Sequence, residues 1–514
     1  MRGLGSAALP PRKPHWWIGW VMHSWRVIPP RTPCRRRHGA VRAQRKDATS
    51  NAEGIVSADA SAEELFLNGP SGQGRLGQLV AYARNVYDLA RLLERASDSR
   101  RKPATSAPLV AAAVLYTGLL RIRSFNALEP KLREKSFLRL LGPQPGRNRL
   151  CSVDTLSRAL HVMDLESLRA LSVAVLEKAE RNKVFREGWH GALRYFAIDG
   201  WEPFCSRHRH CSECLVRQVR VKQADGSVAE IAEYYHRFAV AMLIDKRFDL
   251  LLDFEPLLPK DLRPIEPKAA KGKTRIVVKA DEDEGELTAA KRLLKRVKQT
   301  FAWLDVVVGD ALYANGPFLT TVKKLGLGAV IIARKETDEP LKEALHIWAD
   351  SPPHKIVEDK EARERIELWD CPELETLQTY EGKIRCVRGR VTRHALPGKP
   401  PSTWCMLVVG KAQRLAPEKA LAVARARWHI ENTGFHQWTS RWQFDHVFTH
   451  HANGIRALFW LFFAAFNLLT LFLYRQLRCY GRDRGKDVTR TISRLVDEML
   501  DDLVRLETTA WDTS

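Results

Sequence analysis

Apolar residues recur at helical spacing in the first part of the chain, from about Gly77 to Asn182. The segments LGQLVAYARNVYDLARLLERA, PLVAAAVLYTGLLRI and DLESLRALSVAVLEKAE place them three or four positions apart, which is the period of an amphipathic helix. A shorter segment, SVDTLSRAL, begins with two candidate helix caps, Ser152 and Asp154. The pattern predicts an all-helical domain at residues 71–190.

Short apolar runs separated by polar or turn segments replace this pattern from Leu193 onward. LRYFAID, RFAVAMLID and DLLLDFEPL predict a meander of three strands. ELTAAKRLLKRVKQTF and GPFLTTVKKLG predict helices, which alternate with the buried strands DVVVGDALY and GAVIIAR. The order βββαβαβ favours an α/β fold with a mixed, RNase H-like sheet, because a right-handed crossover places the later strands beside the first. We assign the first part of this core to residues 191–336.

Strand-like pieces between polar loops follow at residues 337–415. RERIELWDC, KIRCVRGRV and STWCMLVVG predict a β-rich insertion in the core. A long helix that carries ALAVARARWHIENTGFHQW is predicted from about Pro417 to Trp438, so the core resumes at residues 416–480. Residues 481–514 are predicted to form a C-terminal helical tail.

The segment ALFWLFFAAFNLLTLFLY, residues 457–474, has the length at which a transmembrane helix must be considered. It is at the short limit, contains Asn467, and is accompanied by no second span and no export signal. We favour a buried helix that covers the sheet, and we expect no association with a membrane.

Charge is the feature in which the composition departs from the average. The hydrophobic fraction of 45% and the charged fraction of 28% are typical of soluble globular proteins, but the net charge is +23. This charge suits a polyanionic partner, nucleic acid first and acidic lipid second. Nine cysteines without a regular framework fit a reducing cytosol.

Residues 1–46 contain eleven Lys or Arg and no Asp or Glu. We expect residues 1–70 to be a basic, disordered leader. It is either an artefact of an upstream start codon or a flexible arm that binds nucleic acid, with a transit peptide as a third alternative.

Three acidic residues lie where a two-metal site for phosphodiester transfer would need them. Asp199 ends the first strand in YFAIDG, and Asp310 ends the fourth in VVVGDALY. Glu431, in RWHIEN, faces the same way on its helix as Arg427, one turn earlier. Carboxylates that converge from separate elements hold Mg²⁺, or Mn²⁺, in such sites.

Each of these residues also has a structural alternative. An Asp after a strand is often only a turn former or a cap, and a Glu near an Arg is often part of a surface ion pair. Their order favours the functional interpretation. The interval from Asp310 to Glu431 is longer than that from Asp199 to Asp310, because the insertion lies within it.

In these motifs the chain resembles DDE-type bacterial insertion-sequence transposases of the cut-and-paste class with a β insertion before the catalytic Glu. The resemblance covers about residues 190–475 and rests on AIDG, GDALYANGPF and RWHIENTGFHQW. The family's Glu helix has a Tyr, two residues, an Arg, three residues, the Glu, six residues and a Lys. Arg427 and Glu431 match this pattern, whereas Ala424 stands at the Tyr position and Trp438 at the Lys position.

The resemblance implies that Asp199, Asp310 and Glu431 are catalytic and hold two Mg²⁺ or Mn²⁺ ions. It implies hydrolysis at the ends of a mobile element and attack of the exposed 3′-hydroxyls on target DNA. The partners would be double-stranded DNA, as terminal inverted repeats and as target, and a second copy of the chain on paired ends. The expected location is the bacterial cytoplasm, in association with the nucleoid.

Several basic residues are candidates for contact with DNA. Arg427 is the best candidate for a phosphate contact, and Arg441 or His446 could substitute for the family's Lys. In the helical domain, which would bind DNA ends, Arg158 is placed as a DNA reader if SVDTLSRAL belongs to a helix-turn-helix. Two basic stretches are equally typical of DNA contacts and of solvated surface: KAAKGKTR at 268–275 and KRLLKRVK at 291–298.

A second candidate metal site follows Asp199 in the segment CSRHRHCSECLVRQVR. The two-residue interval between Cys211 and Cys214 is typical of zinc ligands. The loop 205–214 offers donors for four-coordination in Cys205, His208, Cys211 and Cys214, with His210 and His236 as further candidates. This predicts a structural zinc site, and the alternative is a basic loop whose thiols are incidental.

Three other functions stay open. A nuclease or resolvase on the same fold would use the same carboxylates without joining strands. A non-catalytic DNA-binding descendant of a transposase would be expected to have lost part of the triad. A membrane protein would be anchored by residues 457–474.

Overall fold

The computed structural model describes residues 74–142, 148–185, 193–222, 226–263, 283–334, 339–395, 398–477 and 487–508. The leader predicted at residues 1–70 and the basic stretch 268–275 lie outside these ranges.

Within the described residues, seven helices precede the first strand, which confirms the helical pattern of this region. They are α1 (Gly74–Tyr87), α2 (Leu89–Glu94), α3 (Ala107–Leu119), α4 (Phe125–Lys131), α5 (Lys135–Leu140), α6 (Val153–Leu160) and α7 (Leu165–Arg181). Ser152 rather than Asp154 caps α6, because its hydroxyl accepts a hydrogen bond from the Thr155 amide. Arg158 on α6 is exposed, as predicted.

Twelve strands follow in the described ranges. They are β1 (Tyr195–Trp201), β2 (Cys205–Ser206), β3 (Leu215–Lys222), β4 (Val228–Tyr235), β5 (Phe238–Ile244), β6 (Asp249–Pro256), β7 (Val306–Gly309), β8 (Gly328–Ile332), β9 (Lys355–Asp359), β10 (Glu364–Leu374), β11 (Ile384–Arg393) and β12 (Ser402–Val409). Nine of them form one sheet in the order β6-β5-β1-β7-β8-β12-β11-β10-β9.

The five strands predicted for the core are confirmed and lie side by side. β5 is antiparallel to β1 and β6 is antiparallel to β5, whereas β7 is parallel to β1 and β8 is parallel to β7. The runs FAVAMLI in β5 and DLLLDFE in β6 are buried throughout, because helices cover the sheet.

A small sheet in the order β2-β4-β3, which the sequence analysis did not predict, lies between β1 and β5 along the chain. We call residues 205–235 the hairpin arm. Residues in β3 alternate between more and less exposed environments, as expected of a strand with one solvated face.

Helices continue between and after the later strands. They are α8 (Glu286–Thr300), α9 (Gly316–Lys324), α10 (Glu339–Ile347), α11 (Pro417–Ala426), α12 (His436–Trp442), α13 (Ala452–Leu471) and α14 (Asp487–Thr508). Two π-helical segments, Ile430–Phe435 and Phe472–Leu477, accompany them. The helix predicted from Pro417 to Trp438 is thus α11, a turn at Arg427, the first π segment and the start of α12.

The strands predicted at residues 337–415 extend the central sheet. β12 pairs antiparallel with β8, and β11, β10 and β9 follow it outward. This addition pairs the edge of β8 that would otherwise be free.

The apolar helix α13 packs against α3 and α7 on one side and β6 on the other. The Asn467 side chain accepts a hydrogen bond from the Leu251 amide and donates one to the Leu251 carbonyl, both at 2.9 Å, so it satisfies the edge of β6. Among the described helices, only Ala452–Leu477 is long and apolar enough to cross a membrane, and 94% of its apolar window is buried inside the protein. The predicted burial of this helix is confirmed.

Candidate functional site

Asp199 and Asp310 lie at the same level of adjacent parallel strands. Asp199 belongs to β1, and Asp310 directly follows β7. The strand register pairs Ala197 with Val308, and each acid lies two positions after its member of that pair. Continued to those positions, the register sets the two carboxylates side by side at the carboxyl ends of their strands.

Glu431 reaches the same place from the π-helical segment Ile430–Phe435. Arg427 connects it to β1: its Nη1 lies 3.0 Å from an Asp199 oxygen and 2.6 Å from a Glu431 oxygen. The guanidinium side chain is 7% exposed, while that of Glu431 is 38% exposed. Arg427 and Glu431 therefore face the same way, as predicted. The buried guanidinium of Arg427 bridges Asp199 and Glu431, two of the three predicted carboxylates.

The carboxyl of Asp199 holds its proton more tightly than usual, because burial raises its pKa to about 7. Arg427 opposes this rise, whereas the charges of Asp310 and Glu286 add to it. Burial therefore outweighs the neighbouring arginine, and a bound divalent cation would favour the ionised form.

Glu286, at the start of α8, is a fourth carboxylate near this group and was missed by the sequence analysis. It accepts hydrogen bonds from the Tyr313 hydroxyl and from Arg237, each at 2.7 Å. A Cβ atom built on Gly200 would lie 1.9 Å from a Glu286 oxygen. The glycine that follows Asp199 in the sequence therefore leaves space for the Glu286 carboxylate, a relation that exists only in the folded chain.

The two positions that depart from the family's Glu-helix pattern are both buried. Ala424 and Trp438 are 0% exposed. Trp438 belongs to an aromatic cluster, defined by the rings of Trp201, Phe435, Trp438, Phe444, Phe459 and Phe463. The π segment carries more residues per turn than an α-helix, so it rotates the following residues relative to Glu431. In this chain the position of the family's Lys faces the core.

The other predicted DNA contacts are in different surroundings. Arg441 and His446 are exposed on the segment that follows Glu431, and the His446 ring packs against Phe448. In the basic stretch 291–298, Arg292 and Arg296 are bonded to acidic side chains of β6 and of the segment before α8: Asp253, Glu255 and Glu284. Its arginines thus hold α8 on the sheet, which favours the structural interpretation of that stretch.

The structure changes the set of residues at the predicted zinc site. Cys211, Cys214 and His236 place their donor atoms within 4.8 Å of one another. Cys205 in β2 and His208 are exposed and are not part of this group. The Cys211 thiol, hydrogen-bonded to Cys214 and His236, has its pKa held well below the usual range, which favours the thiolate that metals bind. His450 is a further donor beside Cys214.

The two groups suit different ions. Carboxylate oxygens, such as those of Asp199, Asp310 and Glu431, are the type of ligand that Mg²⁺ and Mn²⁺ prefer. Thiolate and imidazole donors suit zinc.

Comparison with known proteins supports the carboxylate interpretation for part of the chain. Residues 272–468 match the family described as the transposase DDE domain. The match covers less than half of the chain and includes Asp310 and Glu431, while Asp199 lies before it. The mixed sheet and the helical region before it fit such a domain. No curated protein matches the chain.

Proposed function

We propose that the chain is a DDE-type DNA transposase of the cut-and-paste class whose catalytic carboxylates are Asp199, Asp310 and Glu431. The observation that carries the proposal is their convergence. The register of β1 and β7 aligns the two Asp residues, and Arg427 joins Asp199 to Glu431. The match of residues 272–468 to a transposase DDE domain supports it from an independent direction.

In this proposal the sheet fixes the positions of Asp199 and Asp310, and the π segment allows the position of Glu431 to adjust. Asp199 and Asp310 are fixed by strands, as expected of an RNase H-like core, so the spacing of their carboxylates is set by the sheet. Glu431 is more exposed and belongs to a π segment, a helical form that is frequent at functional sites. Two divalent ions held there would activate the attacking oxygen and stabilise the leaving oxygen.

Arg427 has a defined role in the same proposal. It neutralises Asp199 and Glu431 and keeps their oxygens turned toward one another. Both bonds use Nη1, so the contact with phosphate proposed for Arg427 would come from the other guanidinium nitrogens. Arg441 and His446 remain the proposed contacts to DNA beyond the carboxylates, and the helical region at 71–190 is proposed to bind the element's ends as part of a homodimer.

A strand-joining assay tests this function. The purified chain is incubated in Mg²⁺ with DNA that carries the sequences flanking its gene and with a circular target plasmid. We expect cleavage at inverted repeats and covalent joining of their 3′ ends to the plasmid. Cleavage without joining would identify a nuclease instead, and binding without cleavage would identify a non-catalytic descendant.

A further inference from the structure

Cys211 and Cys214 of the hairpin arm and His236, which follows it, have the separations of three ligands of a tetrahedral metal site. The Sγ atoms of Cys211 and Cys214 are 3.7 Å apart, and His236 Nε2 lies 3.4 Å from each of them. His450 Nε2 lies 3.5 Å from the Cys214 Sγ. Three donor atoms, those of Cys211, Cys214 and His236, therefore face a common region, and His450 lies beside them next to Cys214.

These separations can be compared with those of bound zinc. Bond lengths of about 2.3 Å to sulfur and about 2.05 Å to nitrogen in a tetrahedron give sulfur–sulfur edges of about 3.8 Å and sulfur–nitrogen edges of about 3.5 Å. The four observed distances are close to these lengths. The agreement covers all three edges of the Cys211–Cys214–His236 triangle and the one edge that joins His450 to Cys214.

The four residues come from three separate parts of the chain. Cys211 and Cys214 lie in the hairpin arm just before β3, and His236 lies between β4 and β5. His450 is far from the other three in the sequence and lies immediately before the cap of α13. Cys214 and His236 are each 6% exposed, so the group is mostly closed to solvent.

We propose that Cys211, Cys214, His236 and His450 bind one structural zinc ion that clasps the hairpin arm to the start of α13. A site with four protein donors has no open position for substrate, which is the arrangement of structural rather than catalytic zinc. The ion would stabilise the fold by joining segments that are distant in sequence.

Neighbouring contacts show what such a clasp would hold. Glu213, between the two cysteines, forms an ion pair with Arg456 of α13 at 2.8 Å. The Phe204 ring lies against both imidazoles, with ring centroids 6.2 Å from His236 and 6.3 Å from His450. The clasp thus fixes the downstream end of the segment that leads from Glu431 to α13. It joins this end to the hairpin arm, which lies between β1 and β5 along the chain.

Metal analysis of the purified full-length chain and of matched variants tests the proposal without any DNA substrate. We expect about one zinc per chain in the parent. Cys211→Ser and His450→Ala should lower zinc affinity by more than about tenfold, whereas Cys205→Ser and His208→Ala should retain the parent's zinc. Absence of zinc from the parent, or its loss in the second pair and retention in the first, would overturn the assignment.

A spectroscopic measurement on the unaltered chain keeps the test independent of whether the variants fold. After zinc is exchanged for Co²⁺, two thiolates and two imidazoles should give the intense visible bands of tetrahedral cobalt together with thiolate charge-transfer absorption. Weak octahedral bands without charge transfer would contradict the proposed ligands.

Discussion

Two groups of potential metal ligands lie near the end of β1 and the start of β5. They differ in the type of donor atom, in charge and in exposure to solvent. The carboxylate group has hard oxygen donors, a built-in cation in Arg427 and a partly exposed member in Glu431. The Cys/His group has soft donors and two members that are almost fully buried. The first is suited to exchanging ions and substrate oxygens, and the second is suited to holding one ion permanently.

The largest effect should come from removing a carboxylate of the first group. Asp310→Asn should lower the single-turnover rate of DNA cleavage by more than about 100-fold, beyond the loss typical of an outer-shell partner. DNA binding and zinc content should be unchanged, since Asp310 lies outside the Cys/His group. Asp305→Asn, at the other end of the same strand, is the control. Equal cleavage by the Asp310 variant and the parent would remove Asp310 from the mechanism.

Removing Arg427, which bridges Asp199 and Glu431, should destabilise the protein through the carboxylate group and leave the Cys/His group unaffected. Arg427→Ala leaves Asp199 and Glu431 without their shared partner, and we expect the free energy of unfolding in EDTA to fall by about 3 kcal/mol. Mn²⁺ should recover part of this loss, because it replaces the missing positive charge. The comparison is a urea titration with and without Mn²⁺, with Arg425→Ala as control. A loss that Mn²⁺ leaves unchanged would contradict a shared role in metal binding.

A smaller effect should follow from filling the space beside Glu286. Gly200→Ala places a methyl group against the Glu286 carboxylate. Because the carboxylate must move away, the free energy of unfolding should fall by about 2 kcal/mol. Gly285→Ala is the control, because nothing lies within 4 Å of a Cβ built there. Thermal unfolding of both variants measures the difference, and similar melting temperatures would show that Glu286 can move without penalty.

The smallest effect concerns the ion pairs that hold α11, the helix that precedes Glu431. These contacts are electrostatic, whereas the segment that follows Glu431 ends at the Cys/His group. Glu364 is bonded to Arg393 and, on α11, to Arg425. Burial raises the pKa of Glu364, but hydrogen bonds from the two arginines outweigh it and lower the pKa below 4.5. A carboxylate whose pKa is lower in the folded than in the unfolded state stabilises the fold at pH values above its unfolded-state pKa. This stabilisation is lost as the pH falls through the folded-state pKa.

Glu364→Gln should therefore lower the free energy of unfolding by about 1 kcal/mol at neutral pH. The difference from the parent should begin to shrink as the pH falls below about 4.3, the usual pKa of Glu, and should disappear only below the lower folded pKa. Urea titrations across this range measure the effect. A difference that stays constant with pH would indicate lost packing rather than a lost charge.

The carboxylate group could be predicted from sequence to the extent that local pattern determines it. Asp199 and Asp310 end runs of buried strand residues, and strand order then places them together. Glu431 was found through its helix and Arg427, but the π segment was not, because nothing local in RWHIENTGFHQW distinguishes it from an α-helix. Glu286 was missed because its relation to Gly200 exists only after folding.

The Cys/His group shows the corresponding limit. The spacing of Cys211 and Cys214 predicts metal ligands, and nearness in sequence favours Cys205 and His208 as their partners. His236 is a further candidate from the sequence, but only the folded chain selects it over Cys205 and His208. His450 is distant along the chain, so only the tertiary structure brings it beside Cys214. The small sheet of the hairpin arm did have a local signal, since LVRQVRVK alternates apolar and polar residues.

If Asp199 binds a catalytic metal ion directly, replacing its carboxylate should change the metal specificity of cleavage. Asp199→Cys replaces a hard oxygen with a softer sulfur, which disfavours Mg²⁺ more than Mn²⁺. We expect the parent to cleave DNA in either ion, and the variant to be inactive in Mg²⁺ and to regain cleavage in Mn²⁺. Cleavage by the variant in Mg²⁺ at the parent's rate would contradict direct binding of the metal ion by Asp199.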